Sequence, residues 1–231
     1  MNIKQKIFYP IYFKGVLLHL PTMVTQRILV TGGAGFIGSH LVDALVKDDH
    51  HVVIFDNLDP QVHAQHATPP MYLNSNAEFL HHDINNTEVL QNVLQDIDVV
   101  YHLAASVGVA QSMYQPRRFY QTNVTGTATL MDLLINNENT VSKVIVASSM
   151  SIYGEGAYQC PDHGYVELPI RKKQNKESFQ SPSDLSTTWQ MRCPICRVPV
   201  LPLPTPESKT PECSTVYALT KKDQEDMVML L

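Results

Sequence analysis

Beyond residue 26, short apolar runs alternate with stretches in which apolar residues recur every three or four positions. Ile28 to Val30, His51 to Phe55, Ala77 to Leu80, Asp98 to Leu103 and Lys143 to Ala147 read as strands. Phe36 to Lys47 reads as a helix with Phe36, Ile37, Leu41, Val42, Leu45 and Val46 along one side, and a longer helix is expected over Arg118 to Ile135. Strands and helices in alternation specify an α/β fold built on a parallel sheet. From Gly154 to Ser214 the periodicity stops and prolines crowd in at 194, 199, 202, 204, 206 and 211. A connection of that length is rare inside a compact domain, so the segment is expected to be an inserted element. Helical sequence returns at Tyr217 and runs to Leu231 without cap, glycine or polar tail, an ending that reads as cut.

The start of the chain carries its own signal. Met1 to Thr22 holds Lys4, Lys6 and an apolar stretch that Pro10 and Lys14 interrupt, with no small-residue cleavage site after it. It reads as a start-site artefact or loose tail, with Met23 as the natural start. The expected organisation is therefore an extension over 1–22, an α/β domain over 23–155, a Cys- and Pro-rich insertion over 156–213 and a terminal helix over 214–231.

Composition narrows the function. Of 231 residues, 44% are hydrophobic and 17% charged, enough for a full core and too little charge for a disordered polyelectrolyte. With 17 Lys and Arg against 22 Asp and Glu, the net charge of -5 argues against a phosphate-backbone partner, so no nucleic acid is expected. No apolar run reaches the roughly 18 residues of a membrane span. The 4 cysteines all fall after residue 159, unlike a secreted disulfide scaffold, and imply a reducing, cytoplasmic setting.

Thr31 to Gly38, between the first strand and its helix, places Gly32, Gly35 and Gly38 at intervals of three. The first allows the tight turn, the second lets backbone approach a pyrophosphate, and the third lets helix and strand pack closely. The first N–H groups of the helix, at Phe36 and Ile37, then face an anion with the positive end of the helix dipole. Asp56, at the end of strand two, can accept from adenosine ribose hydroxyls and repels a 2′-phosphate, which favours NAD over NADP. Such sheets bind ligands at the carboxyl ends of their strands, which adds Asn57, Asp83, Ile84, Leu103, Ala104 and Ala105 to the expected cofactor set. The fold class is a Rossmann-type doubly wound parallel sheet.

Ser149, Tyr217 and Lys221 form the catalytic candidate set. Tyr217 and Lys221 are four residues apart in a helix and share one face. A free phenol titrates roughly three units too high for a base at neutral pH. An adjacent ammonium and a bound nicotinamide ring could supply the ~4 kcal/mol needed to stabilise the phenolate. Ser149 is placed just past strand five to donate to the oxygen being oxidised.

Taken together, Thr31 to Gly38, Asp56-Asn57, Asp83-Ile84, His102 to Ala105, Asn123 to Thr127, Ser148-Ser149 to Tyr153-Gly154 and Tyr217 to Lys221 resemble the extended short-chain dehydrogenase/reductases, specifically the NAD-dependent nucleotide-sugar epimerase/dehydratase family, UDP-glucose 4-epimerase-like. The resemblance spans about Val24 to Gly154 and Ser214 to Leu231. It implies a tightly held NAD, a nucleotide-diphosphate sugar as substrate, oxidation at sugar C4 and return of hydride to the opposite face. It also places Asn123, Tyr217 and Lys221 at the cofactor, and implies a homodimer in the full-length form. The 4,6-dehydratases carry an Asp-Glu pair where this chain has Met150 and Ser151, so epimerisation is preferred to dehydration or reduction. The family normally adds a substrate-gripping domain beyond Lys221. A chain without it could bind NAD and turn nothing over.

Cys160-Pro-Asp-His163 and Cys193-Pro-Ile-Cys196 are two ligand pairs of two-residue spacing that together close a tetrahedral Cys₃His shell, a structural zinc. The alternatives are reduced, packed cysteines with a surface His163, or Cys213 in place of His163. This insertion resembles a dTDP-L-rhamnose 4-epimerase-like subset of the family. His63, His66, His81 and His82 read as solvated loop side chains.

Overall fold

The structure, a computed structural model, describes residues 8–13, 16–21, 25–63, 69–168 and 190–231. The chain divides into two compact units, residues 1–103 with 136–145 and residues 104–135 with 146–231. Among the described residues no helix is long and apolar enough to cross a membrane.

In the first unit, β1 (Phe8–Phe13) and β2 (Val16–Pro21) form an antiparallel hairpin within the segment read as a loose tail. The central sheet contains β3 (Arg27–Thr31), β4 (His51–Asp56), β5 (Glu78–His81), β6 (Val99–His102) and β7 (Lys143–Val146), in the order β5-β4-β3-β6-β7. β3 pairs in parallel with both β4 and β6, and β4 with β5. All five strands lie within a residue or so of the stretches the apolar pattern marks.

Both faces of β3 and β4 are covered, which is why those strands read as continuous apolar runs. Ile28, Val30, Val52, Ile54 and Val99 form one core cluster with Val42 of α1 (Phe36–Lys47). Leu29, Val53, Phe55 and Val100 are also buried. α1 has the expected bounds, and Leu41, Val42, Leu45 and Val46 of its expected apolar side pack on that core. Phe36 and Ile37, in its first turn, are instead 82% and 69% exposed. α2 (Pro60–His63) is a single turn, and α3 (Thr87–Leu94) is a helix absent from the sequence reading. The signal for α3 was local: Asn86 caps it by accepting from the Val89 N–H, and Leu90 and Leu94 bury one stripe.

The second unit contains α4 (Val109–Ser112), α5 (Pro116–Phe119), a π-helical turn (Tyr120–Thr125) and α6 (Gly126–Asn136), so the long expected helix begins two residues earlier and is interrupted by the π turn. A 3₁₀ turn (Met150–Tyr153) follows Ser149. The insertion then folds into β8 (Ala157–Cys160), β9 (Gly164–Glu167) and β10 (Leu201–Leu203), an antiparallel sheet in the order β10-β8-β9. α7 (Val216–Leu230), capped by Thr215, completes the unit.

The inserted sheet closes on itself at a neck. Returning from β10, the chain passes Lys209, whose buried Nζ donates to the Tyr153 carbonyl at 2.9 Å, and Glu212, whose N–H donates to the Ile152 carbonyl at 2.7 Å. Gly154 supplies the bend with φ of +66°, and a Cβ there would stand 2.6 Å from the Glu212 carbonyl oxygen. Gly154→Ala is therefore expected to cost about 1–3 kcal/mol, since both the dihedral and the backbone contact oppose a side chain. Denaturant unfolding of the full chain measures this, and truncating the Glu212 side chain should give no rescue.

Candidate functional site

The candidate site residues of the first unit are arranged around the glycine turn. Gly32, at φ of +68°, donates its N–H to the Phe55 carbonyl at 2.8 Å and ties the turn to β4. A Cβ on Gly38 would lie 2.3 Å from the Gly32 carbonyl, so only glycine lets α1 seat this deeply. Gly35 stands at the N-cap with no side-chain cap bond, and the first turn holds no acidic residue. N–H groups and a positive dipole end are thereby left facing outward, a cradle suited to a pyrophosphate.

Asp56 is joined to that turn. One carboxylate oxygen accepts the Ala34 N–H at 3.0 Å and the other accepts the Leu58 N–H at 2.8 Å. The Asn57 amide donates to Asp83 at 2.8 Å, which brings the ends of β4 and β5 together. Burial pulls the Asp83 carboxyl upward, but N–H donors from Asn85 and Asn57 outweigh it and hold it below its ordinary value. Ile84 is buried beside it, and the Leu103 N–H donates to the Thr31 carbonyl at 3.0 Å. Ala104 and Ala105, half-buried, open the second unit.

Of the histidines read as solvated loop side chains, His63 departs from that reading, while the His81 side chain is exposed. The His63 side chain is 5% exposed, with Nε2 3.8 Å from Asp56 and Nδ1 3.2 Å from the Tyr72 hydroxyl, which itself donates to the Ala34 carbonyl. The cause is tertiary: the helical turn after β4 folds back over the glycine turn. His81 is the last residue of β5, its Nε2 3.0 Å from the Asn57 carbonyl, and the ring of His82 lies 6.0 Å from that of Phe55. His66 lies outside the described residues.

The second unit holds the acid–base candidates. Ser149 caps the 3₁₀ turn, accepting from the Ser151 N–H at 3.2 Å, and the two hydroxyl oxygens are 2.8 Å apart. The Tyr217 N–H donates to the buried Ser112 hydroxyl at 2.9 Å, and its ring meets Phe119 edge-on. Lys221, one turn further along α7, is buried, and burial drives its amine down to about 8. Asn123, expected at the cofactor, has its carboxamide engaged internally. Oδ1 accepts from the Ser106 N–H at 2.7 Å, while Nδ2 donates to the Ser106 carbonyl and to Thr220 of α7. Sequence reading did not reveal this tie, because its partners lie 17 and 97 residues away.

Cys160, His163, Cys193 and Cys196 converge at the tip of the inserted sheet, their donor atoms all within 4.8 Å of one another. Bonds of ~2.3 and ~2.1 Å around a tetrahedral ion put sulfurs about 3.8 Å apart and sulfur and nitrogen about 3.6 Å apart. The observed separations are 3.5 Å between the Cys160 and Cys196 sulfurs, and 3.6 and 3.7 Å from His163 Nδ1 to Cys160 and Cys193. The donor set thus fits a tetrahedral ion of zinc type. Cys213 stands apart, its thiol 3.8 Å from the Ile152 carbonyl at the neck.

Comparison with known proteins agrees with this geometry. The family model for GDP-mannose 4,6 dehydratase matches residues 29–162. A dTDP-L-rhamnose 4-epimerase of Burkholderia thailandensis is 32% identical over 206 residues, which is 88% of this chain and 53% of that protein. The structure of a Thermotoga maritima UDP-glucose 4-epimerase with UDP-glucose superposes with a TM-score of 0.61 at 28% identity, covering 88% of this chain and 50% of that one. That of the Brucella ovis UDP-glucose 4-epimerase in complex with NAD gives 0.59 at 26%, covering 89% and 47%. The chain spans about half the length of these relatives.

The lowered Lys221 amine has a consequence for stability. An unfolded lysine titrates near ~10.4, so between about 8 and that value the unfolded chain binds more protons than the native one. Native stability accordingly rises with pH across this window. Denaturant unfolding at both ends of it should show the wild-type chain gaining stability relative to Lys221→Met as the pH is raised.

Proposed function

The chain belongs to the NAD-dependent nucleotide-sugar epimerase/dehydratase family that the GDP-mannose 4,6 dehydratase model describes, and on that premise we propose that it carries the machinery of a nucleotide-sugar 4-epimerase. The observation that carries this reading is the placement of Tyr217 and the buried Lys221, an ammonium at neutral pH, one turn apart on α7. NAD, when bound, supplies the acceptor for a hydride from sugar C4 and gives it back. Gly32, Gly35 and Gly38 would hold its pyrophosphate and Asp56 its adenosine ribose, consistent with the NAD-bound relative. Asn57, Asp83, Ile84, Leu103, Ala104 and Ala105 would complete that set.

The residues divide the proton work. Tyr217, as phenolate, takes the proton of the C4 hydroxyl as its C–H bond breaks, and returns it when the carbonyl is reduced from the other face. The Lys221 ammonium favours the phenolate electrostatically. The Ser149 hydroxyl donates to the C4 oxygen and steadies it as it becomes a carbonyl. Elimination of water would need a further acid–base pair. Met150 is an 88% exposed thioether, and the Ser151 hydroxyl is joined to Ser149, so neither offers a carboxyl for that step. This favours epimerisation over the dehydratase chemistry in the same family.

A structural zinc in the Cys₃His cluster completes the proposal. Among the described residues the core cluster of the inserted sheet is Cys160, Val166, Leu168, Cys193 and Val200, too small to order it unaided. Four protein ligands close the shell, so the ion would hold structure and take no part in the redox step.

Two measurements test these statements. Incubation with UDP- and dTDP-hexoses, followed by NMR of the C4 configuration, should show interconversion that Tyr217→Phe lowers by at least ~10³-fold. NAD bound without any inversion at C4 would overturn the enzymatic reading. Metal analysis of the purified chain should find about one zinc per chain, and Cys193→Ser should lose it together with thermal stability. Less than half an equivalent in the wild type would count decisively against the clamp.

A further inference from the structure

Within the second unit a buried polar chain leads away from Lys221, and chemistry fixes its direction. An ammonium can only donate, so the Gln224 side chain must turn its oxygen to Lys221, at 2.6 Å. That places the Gln224 nitrogen 2.6 Å from the Thr127 hydroxyl, which must accept. The hydroxyl proton of Thr127 then goes to the Asn123 carbonyl, also at 2.6 Å. Asn123, Thr127 and Gln224 are each 0% exposed. The same Asn123 binds Thr220 through its side chain, and Thr220 donates to the Tyr217 carbonyl. One residue of the π turn is thereby linked to both members of the Tyr217–Lys221 pair.

We infer that Gln224 is a positioning residue for Lys221, holding its amine in one orientation on α7 and setting the pH at which that amine releases its proton. The inference rests on the reading of Lys221 as the partner of Tyr217. The ionisable groups on the elements packed against α7 are Arg117 and Arg118 of α5, Tyr120 of the π turn and Tyr153 of the 3₁₀ turn. On α7 itself, Glu225 accepts from Ser148 and Lys222 pairs with Asp226. Among the described residues the hydrogen-bond acceptor of the Lys221 amine is the neutral Gln224 amide, and burial is the cause of its lowered proton affinity. A charge placed at position 224 would therefore act on the amine at contact distance, where Coulomb terms are least screened.

The test uses two substitutions that should move the amine in opposite directions. In the full chain with ¹³C-labelled lysine, the Lys221 resonance is identified by its loss in Lys221→Met and titrated by NMR. The wild type should titrate near 8. Gln224→Glu, nearly isosteric, should raise that value by more than about one pH unit, and Gln224→Met should lower it by leaving the ammonium without its acceptor. Both variants titrating with the wild type while remaining folded would overturn the inference. Should Gln224→Met fail to fold, Gln224→Glu decides alone. In a turnover assay Gln224→Met should lower kcat at neutral pH with KM little changed, and Gln224→Glu should displace the pH profile upward. A wild-type chain that inverts no sugar would reject the functional reading, while the NMR titration still decides the role of Gln224.

Discussion

Asn123 is fully buried inside a helix, where a carboxamide lacking partners would cost several kcal/mol. Here Oδ1 and both Nδ2 protons are satisfied, by the loop after β6 and by α7. The constraint works in both directions. The π turn delivers the carboxamide to that depth, and the carboxamide in turn fixes how α7 lies against the turn. Tyr217 and Lys221 inherit their placement from this arrangement. An active phenol and amine on a helix are useful only if the helix cannot rotate, and a directional polar core prevents rotation better than apolar packing does.

The two units solve different problems with the same economy of residues. In the first, on the proposed function, backbone would do the recognition. Glycines remove side chains so that N–H groups can come forward, and a single carboxylate at the end of β4 braces the turn. In the second, side chains do the work and backbone is only scaffold. Ser149, Tyr217 and Lys221 are each held by a neighbour that is not itself chemically demanding: Ser151, Ser112 and Gln224.

Much of this was legible beforehand, for identifiable reasons. The central strands were visible because burial on both faces leaves unbroken apolar runs. The glycine turn was visible because close approach of backbone to backbone admits no other residue. The Cys₃His set was visible because two-residue spacing is imposed by the bite of a tetrahedral ion. Apart from α3, whose cap and stripe are local, what escaped depends on tertiary contact. Nothing within ten residues of Asn123 announces Thr220, and no local pattern brings His63 over Asp56. Gln224 is an intermediate case: it lies three residues from Lys221, a spacing that places two side chains together, but a glutamine on a helix is too common to stand out.

The neck between the 3₁₀ turn and the Lys209–Glu212 segment gives the insertion a particular topology. The chain is fastened where it departs and where it returns, by the Lys209 and Glu212 hydrogen bonds. The entropic penalty of closing a loop between two such points grows only with the logarithm of its length. A change in the length of chain between these two points therefore adds little to the cost of closing them, and Ser149 before the neck and Tyr217 after it are spaced by the neck rather than by the periphery.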